Sequence, residues 1–325
     1  MRVDVRRVGV AVGLWGALAS PVAGDPLPAA PSDSPGTPVW VVQGSGLAQR
    51  FRDPLSVTCD PKTGEIFVAD TGNHEIAIFD ADGGLRYRFT QYLENDAAGS
   101  PRCVLQLADG RLLVTDAQAT TITVANARGE RIALIDIASL AGLAGRVSPG
   151  YLTRDGNGFV YVTFSGAGAG VVVLDSTLAF VRMIHGQGRE AGDLKSPTGV
   201  AVDVDGRVFV TDPGAALAVS SFSPEGEFLG GFGRHESGRD NFSFPSGICF
   251  TGEVIWVGDS VRQVIKGMDA GGHLLSMLGG KGAGAGDMLY PVSVATDGGR
   301  RLYVLERAGA RLQAFELAEE PVASS

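Results

Sequence analysis

The sequence predicts an all-β fold, a six-bladed propeller of four-stranded blades, on three observations. Glycine is abundant, 47 of 325 residues, and charged residues make up only 19%. Six segments, each opened by a proline, succeed one another at Pro54, Pro101, Pro149, Pro197, Pro245 and Pro291, with gaps of 46 to 48 residues. Within each segment, short β-branched or aromatic runs alternate with Gly-containing turns. A glycine excess with short apolar runs marks tight turns between strands. A period of this length with four strands per unit is one propeller blade.

The first strand of each unit carries an apolar fourth residue: Val57, Val104, Leu152, Val200, Ile248 and Val294. Its seventh residue is Asp60, Leu107, Asp155, Asp203, Thr251 or Asp297, and a glycine turn follows. The second strand is the clearest run: "EIFVAD", "RLLVTD", "FVYVTF", "RVFVTD", "EVIWVGD" and "RLYVLE". A third run follows ("IAIFD", "ITVAN", "VVVLD", "LQAFE"), then a fourth after a glycine turn ("GEFLGGFG", "GHLLSMLG"). Runs of about five residues are strand-length and too short for helices. The fully buried strands read as near-continuous apolar runs because neighbouring blades cover both faces of a blade.

The sixth unit lacks a fourth strand, since the sequence after "RLQAFELAEE" runs out at Ser325. "VWVVQGSG", residues 39–46, has the fourth-strand pattern. An N-terminal strand is therefore expected to complete the last blade and close the ring, which removes open sheet edges. The expected blades are 52–98, 99–146, 147–194, 195–242, 243–288, and 289–317 with 38–46.

Ahead of the ring, "MRVDVRR" is basic, and "VGVAVGLWGALASPVAG" is apolar and ends in small residues. This is the pattern of an export signal, residues 1–24, cleaved before Asp25. The apolar run is short and broken for a membrane anchor. Residues 25–37, rich in Pro, Ser and Ala, read as a spacer, and 318–325 as a tail. The expected product is periplasmic or extracellular, has no membrane span and is monomeric. Without the leader it holds 24 basic and 35 acidic residues, net −11, a surface that repels nucleic acid. Three cysteines, Cys59, Cys103 and Cys249, stand far apart with no CxxC. They frame neither a disulfide scaffold nor a zinc knuckle.

The stretch "PLSVTCDPKTGEIFVADTGNHEIAIFDADGG", 54–84, resembles the NHL repeat, and the fourth unit resembles it at its ends. The resemblance spans nearly all of 38–317. It implies a propeller, a structural Asn–His turn at Asn73–His74, and no single activity. Some six-bladed relatives are amidating lyases that hold zinc with three histidines. Here such a set would have to be His74, His185 and His235, because His273 falls on the opposite face. These three sit at different repeat phases, and no cofactor is expected. Calcium has no ligand motif, since "DADGG", "DGNG" and "DVDG" are tight-turn chemistry. "GGKGAGAGD", 279–287, precedes another strand and lacks the helix of a phosphate loop. "NFS" at Asn241 is a glycosylation sequon that matters only in a eukaryotic secretory route. There is no GxSxG elbow, and nothing near Cys103 in sequence activates it.

Departures from the repeat mark the candidate site. In the third-residue column, Ser56, Gly199, Gly247 and Ser293 are small, while Cys103 and Tyr151 are not. Arg102 stands out in the second column, and Gln106 and Arg154 in the sixth. The candidate binding residues are Arg102, Tyr151, Arg154 and His74. The functional expectation is non-catalytic recognition of a protein, peptide or envelope component at a channel mouth. Its rival is a metal-dependent lyase or hydrolase at the same place.

Overall fold

The computed structural model describes residues 35–46, 49–186 and 192–318. The leader and most of the spacer lie outside the described residues. Strand β1 (Gly36–Val42) comes first, followed by a small hairpin of β2 (Gly44–Gly46) and β3 (Gln49–Arg50). Blade 1 is β4 (Ser56–Cys59), β5 (Ile66–Asp70), β6 (Glu75–Phe79) and β7 (Leu85–Thr90). Blade 2 is β8 (Pro101–Gln106), β9 (Leu112–Asp116), β10 (Ile122–Ala125) and β11 (Arg131–Ile135). Blade 3 is β12 (Val147–Arg154), β13 (Val160–Gly166), β14 (Ala169–Leu174) and β15 (Phe180–Gly186). Blade 4 is β16 (Gly199–Val202), β17 (Val208–Thr211), β18 (Val219–Phe222) and β19 (Phe228–Phe232). Blade 5 is β20 (Pro245–Thr251), β21 (Val254–Asp259), β22 (Val264–Met268) and β23 (Leu274–Gly279). Blade 6 is β24 (Pro291–Thr296), β25 (Arg301–Glu306) and β26 (Arg311–Leu317), with β1 as its outer strand.

Each blade is an antiparallel four-stranded sheet whose strands, called a to d outward from the axis, follow chain order. The middle strands b and c are buried along their length, as in β5 and β25, and the outer d strands are half-exposed, as in β7 and β11. This is why the b runs are continuously apolar while the d runs are mixed.

β1 closes the ring, pairing from Gly36 opposite Leu317 to Val42 opposite Leu312. The strand begins two residues earlier and stops four residues sooner than the pattern 38–46 predicts. It stops because the chain folds back at Gly44, where a Cβ would lie 2.0 Å from the Gln49 carbonyl oxygen. Trp40 is buried against Tyr303, ring centroids 5.9 Å apart, and its indole N–H donates to the Ala81 carbonyl at 3.1 Å. The closing strand thus ties blade 6 to blade 1 as well as finishing its own sheet. A single helical turn, α1 (Ile137–Leu140), capped by the Asp136 carboxylate, joins blades 2 and 3; four residues are too few to give a sequence period.

Two repeated devices hold the blades. At the end of strand b a buried acid accepts backbone N–H groups from the incoming connection. Asp70 takes Arg52 at 2.7 Å, Asp116 takes Ser100 at 2.6 Å, Asp212 takes Lys195 at 2.6 Å, Asp259 takes Ser243 at 2.8 Å, and Glu306 takes Leu289 at 2.6 Å. Blade 3 has Phe164 there. Hydroxyls then staple blade to blade: Thr58 to the Val104 carbonyl (2.7 Å), Thr115 to Gly150 (2.6 Å), Thr198 to Pro245 (2.9 Å) and Ser246 to Pro291 (3.0 Å).

Candidate functional site

The six a strands line an axial cavity of about 310 Å³. It runs from the third-residue ring down to the a–b turns, and it includes Asp60, Pro61, Lys62, Asp155, Gly156 and Gly298 at that rim. The small third column follows from crowding near the axis. A Cβ on Gly247, which has φ +60°, would lie 2.8 Å from the Ser293 Cα, and one on Gly199 would lie 3.1 Å from the Gly247 Cα. Tyr151 is the large side chain in that ring, and it packs against the cluster formed between blades 2 and 3.

The candidate residues do not form one patch. Counted from the proline that opens each unit, Arg154 is the sixth residue and Arg102 the second. With all a strands running the same way along the axis, four residues separate the two levels by roughly 13 Å. Arg154 therefore belongs to the a–b mouth. Its Nη2 reaches the Asp60 Oδ1 at 3.5 Å across the front of blade 2, and both side chains are nearly buried. Asp60 also accepts the N–H of Lys62 at 3.1 Å, its own turn. Gln106 stands between them, its amide donating to Glu65 at 3.3 Å while its Oε1 is buried without a partner. Asp60 was readable in sequence only as a turn residue; what pairs it with Arg154 is the ring, not the chain.

Arg102, Tyr151 and His74 lie toward the opposite mouth, at the b–c turns. His74 closes a short 3-10 turn, Thr71–Asn73, with left-handed φ 63°. Its Nδ1 contacts the Gly99 carbonyl oxygen, and Asn73 donates to both Asp70 and the Arg50 carbonyl at 2.7 Å. The Asn–His pair thus ties its turn to the connections on either side, a structural role. Arg102 is half-buried, and its Nε is buried without a hydrogen-bond partner. Arg307, on the blade 6 turn, comes close enough to Tyr151 to act on its phenol electrostatically. Nothing in the repeat columns singles out Arg307.

Burial dominates the titration of this channel. It pushes the Cys59 thiol up to about 12, with the Asp297 and Asp60 charges adding to the effect. It likewise raises Cys103 and Cys249. It raises the Tyr151 phenol too, against the opposing pull of Arg102 and Arg307. The thiols are therefore neutral hydrogen-bonding groups and small hydrophobes at ordinary pH.

Of the three histidines proposed as a metal set, His74 is bound into its turn and the His235 Nε2 lies 3.1 Å from the Ala215 carbonyl oxygen. The side chain of His185 lies outside the described residues. Among the described residues, no three His, Cys, Asp or Glu side chains are grouped to hold a metal ion. The Asp-Gly turns cap themselves. Asp155 accepts the N–H groups of Asn157 and Phe159, and Asp203 those of Asp205 and Arg207.

Comparison with known proteins agrees with this architecture. Residues 51–79 match the NHL repeat. The chain carries an NHL repeat in a six-bladed propeller. None of the curated proteins compared with it by sequence is similar to it. Among solved structures, the chain resembles a Xanthomonas campestris gluconolactonase at 16% identity, covering 90% of this chain and 99% of that one, TM-score 0.60. It resembles a luciferin-regenerating enzyme at 13%, covering 87% and 96%, TM-score 0.63. A chain of the nidogen–laminin complex matches at 18%, covering 70% and 80%, TM-score 0.55. Proteins named as enzymes and a chain of the nidogen–laminin complex thus share this fold, and such identities show the fold alone.

Proposed function

We propose that this NHL-repeat propeller recognises a ligand group in its axial channel rather than converting it, and that it does so as an exported protein. The observation that carries the reading is the state of the groups that line the channel. They are an Arg154–Asp60 pair, a Gln106 amide, a Tyr151 phenol, and thiols held protonated by burial. Such groups orient a ligand through hydrogen bonds and supply no activated nucleophile. The repeat carboxylates are already committed to capping turns and connections. A ligand could be a side chain or terminus of a protein or peptide, or part of an envelope component.

The rival, a lyase or hydrolase at a channel mouth, draws support from the fold it shares with a gluconolactonase and a luciferin-regenerating enzyme. The test is turnover. Purified chain beginning at residue 25 is offered a lactone and an activated ester, with and without added zinc or calcium. Background rates support recognition; turnover lost on Arg154→Gln or Tyr151→Phe would overturn it.

A further inference from the structure

We propose that Arg102, at the b–c mouth beside Tyr151, is the receptor for a single carboxylate of the ligand. The inference rests on the recognition reading and assigns the ligand's chemistry. Three observations carry it. The guanidinium makes no hydrogen bond or ion pair among the described residues, and its Nε is buried. A guanidinium Nε–H withdrawn from water without an acceptor is costly, so its retention points to a partner that arrives from outside. Second, the position is otherwise filled by Leu55, Gly150, Thr198, Ser246 and Val292. The ring is therefore built at this level without any cation, and Arg102 is not needed for it. Third, the groups around it are already engaged. The Asp116 carboxylate accepts from Ser100 at 2.6 Å and Gln118 at 2.8 Å, and Arg307 pairs with Asp53 at 3.1 Å.

The Arg102 charge is felt by Asp116 but no acceptor meets its buried Nε–H, so the site has room for one anion. The planar fork of an arginine matches the two oxygens of a carboxylate. A phenol next to it offers a further donor, since burial keeps Tyr151 protonated. The chain's net charge of −9 makes a polyanion a poor guest. A small organic acid, or the carboxyl terminus of a peptide, presents the same group.

The test uses acetate, benzoate and inorganic phosphate as probes at constant ionic strength, with chloride as reference. Acetate and benzoate should raise the thermal midpoint by about 2 °C at tenfold excess over Kd. Arg102→Gln should abolish that rise, and the exposed Arg128→Gln should keep it. Arg102→Met should raise the ligand-free midpoint, because it removes a buried donor that has no acceptor. Amidated and free-acid forms of one tripeptide then separate a peptide terminus from a small acid. The assignment is overturned if Arg102→Gln retains the rise, if neither carboxylate acts on the wild type, if phosphate alone acts, or if Arg102→Met lowers the midpoint. Turnover of the bound acid would end the recognition reading and leave the Arg102 assignment standing. A rise that survives Arg102→Gln would do the reverse.

Discussion

The Ser293 hydroxyl is bonded to both backbone groups of Val57, 236 residues away in sequence, accepting from its N–H at 3.1 Å and lying 3.3 Å from its carbonyl oxygen. This places a second closure of the ring at the axis, on the inner strands β24 and β4, while β1 closes it at the rim. Ser293→Ala leaves a buried N–H without a partner. It should cost about 1–3 kcal/mol in denaturant unfolding, with blade geometry intact by circular dichroism. A change below a few tenths would mean that the outer strand alone closes the ring.

The rim closure is anchored by an aromatic side chain. Trp40→Ala removes a buried indole packed on Tyr303 and should cost about 3–5 kcal/mol. Tyr92→Ala, at a half-exposed ring, should change stability by less than about 0.5 kcal/mol. Equal thermal midpoints for the two variants would defeat the closure argument.

Burial pushes the Asp70 carboxyl up to about 6, against the hydrogen bonds from Arg52 and Asn73 that lower it. Its folded pKa therefore lies above the unfolded value of about 3.9. Between those limits the native state binds more protons, so the Asp70 contribution to stability falls as pH rises from about 4 to 6. Across that window the wild type should lose more stability per pH unit than Asp70→Asn. Parallel pH profiles would contradict the burial of this charge.

At pH 8, a Cys59 thiol with pKa about 12 is ionised in about one molecule in ten thousand. Iodoacetamide should label none of the three cysteines in the native protein and all three in urea. Rapid native labelling of Cys59 would show a thiolate in the channel and reopen covalent chemistry there.

Strand order, blade number and the need for a closing strand were legible in the sequence, because a blade is a local object. Its four strands are consecutive, its turns carry glycine, and its b and c runs are buried on both faces. So was the oddity of Arg102, Tyr151 and Arg154, each visible as a departure from a repeat column. What those columns hid was level along the axis. A column number counts residues within a blade, but a site is made where six blades meet. The ring separates Arg154 from Arg102, pairs Arg154 with Asp60 across blade 2, and brings Arg307 from the last blade toward Tyr151 in the third. It binds His74 into its turn. By itself the sequence determined the repeating unit, through the burial pattern each strand must carry. The tertiary structure alone decided which polar groups converge on the axis and which are left without partners, because contacts between chain-distant blades arise only on closure.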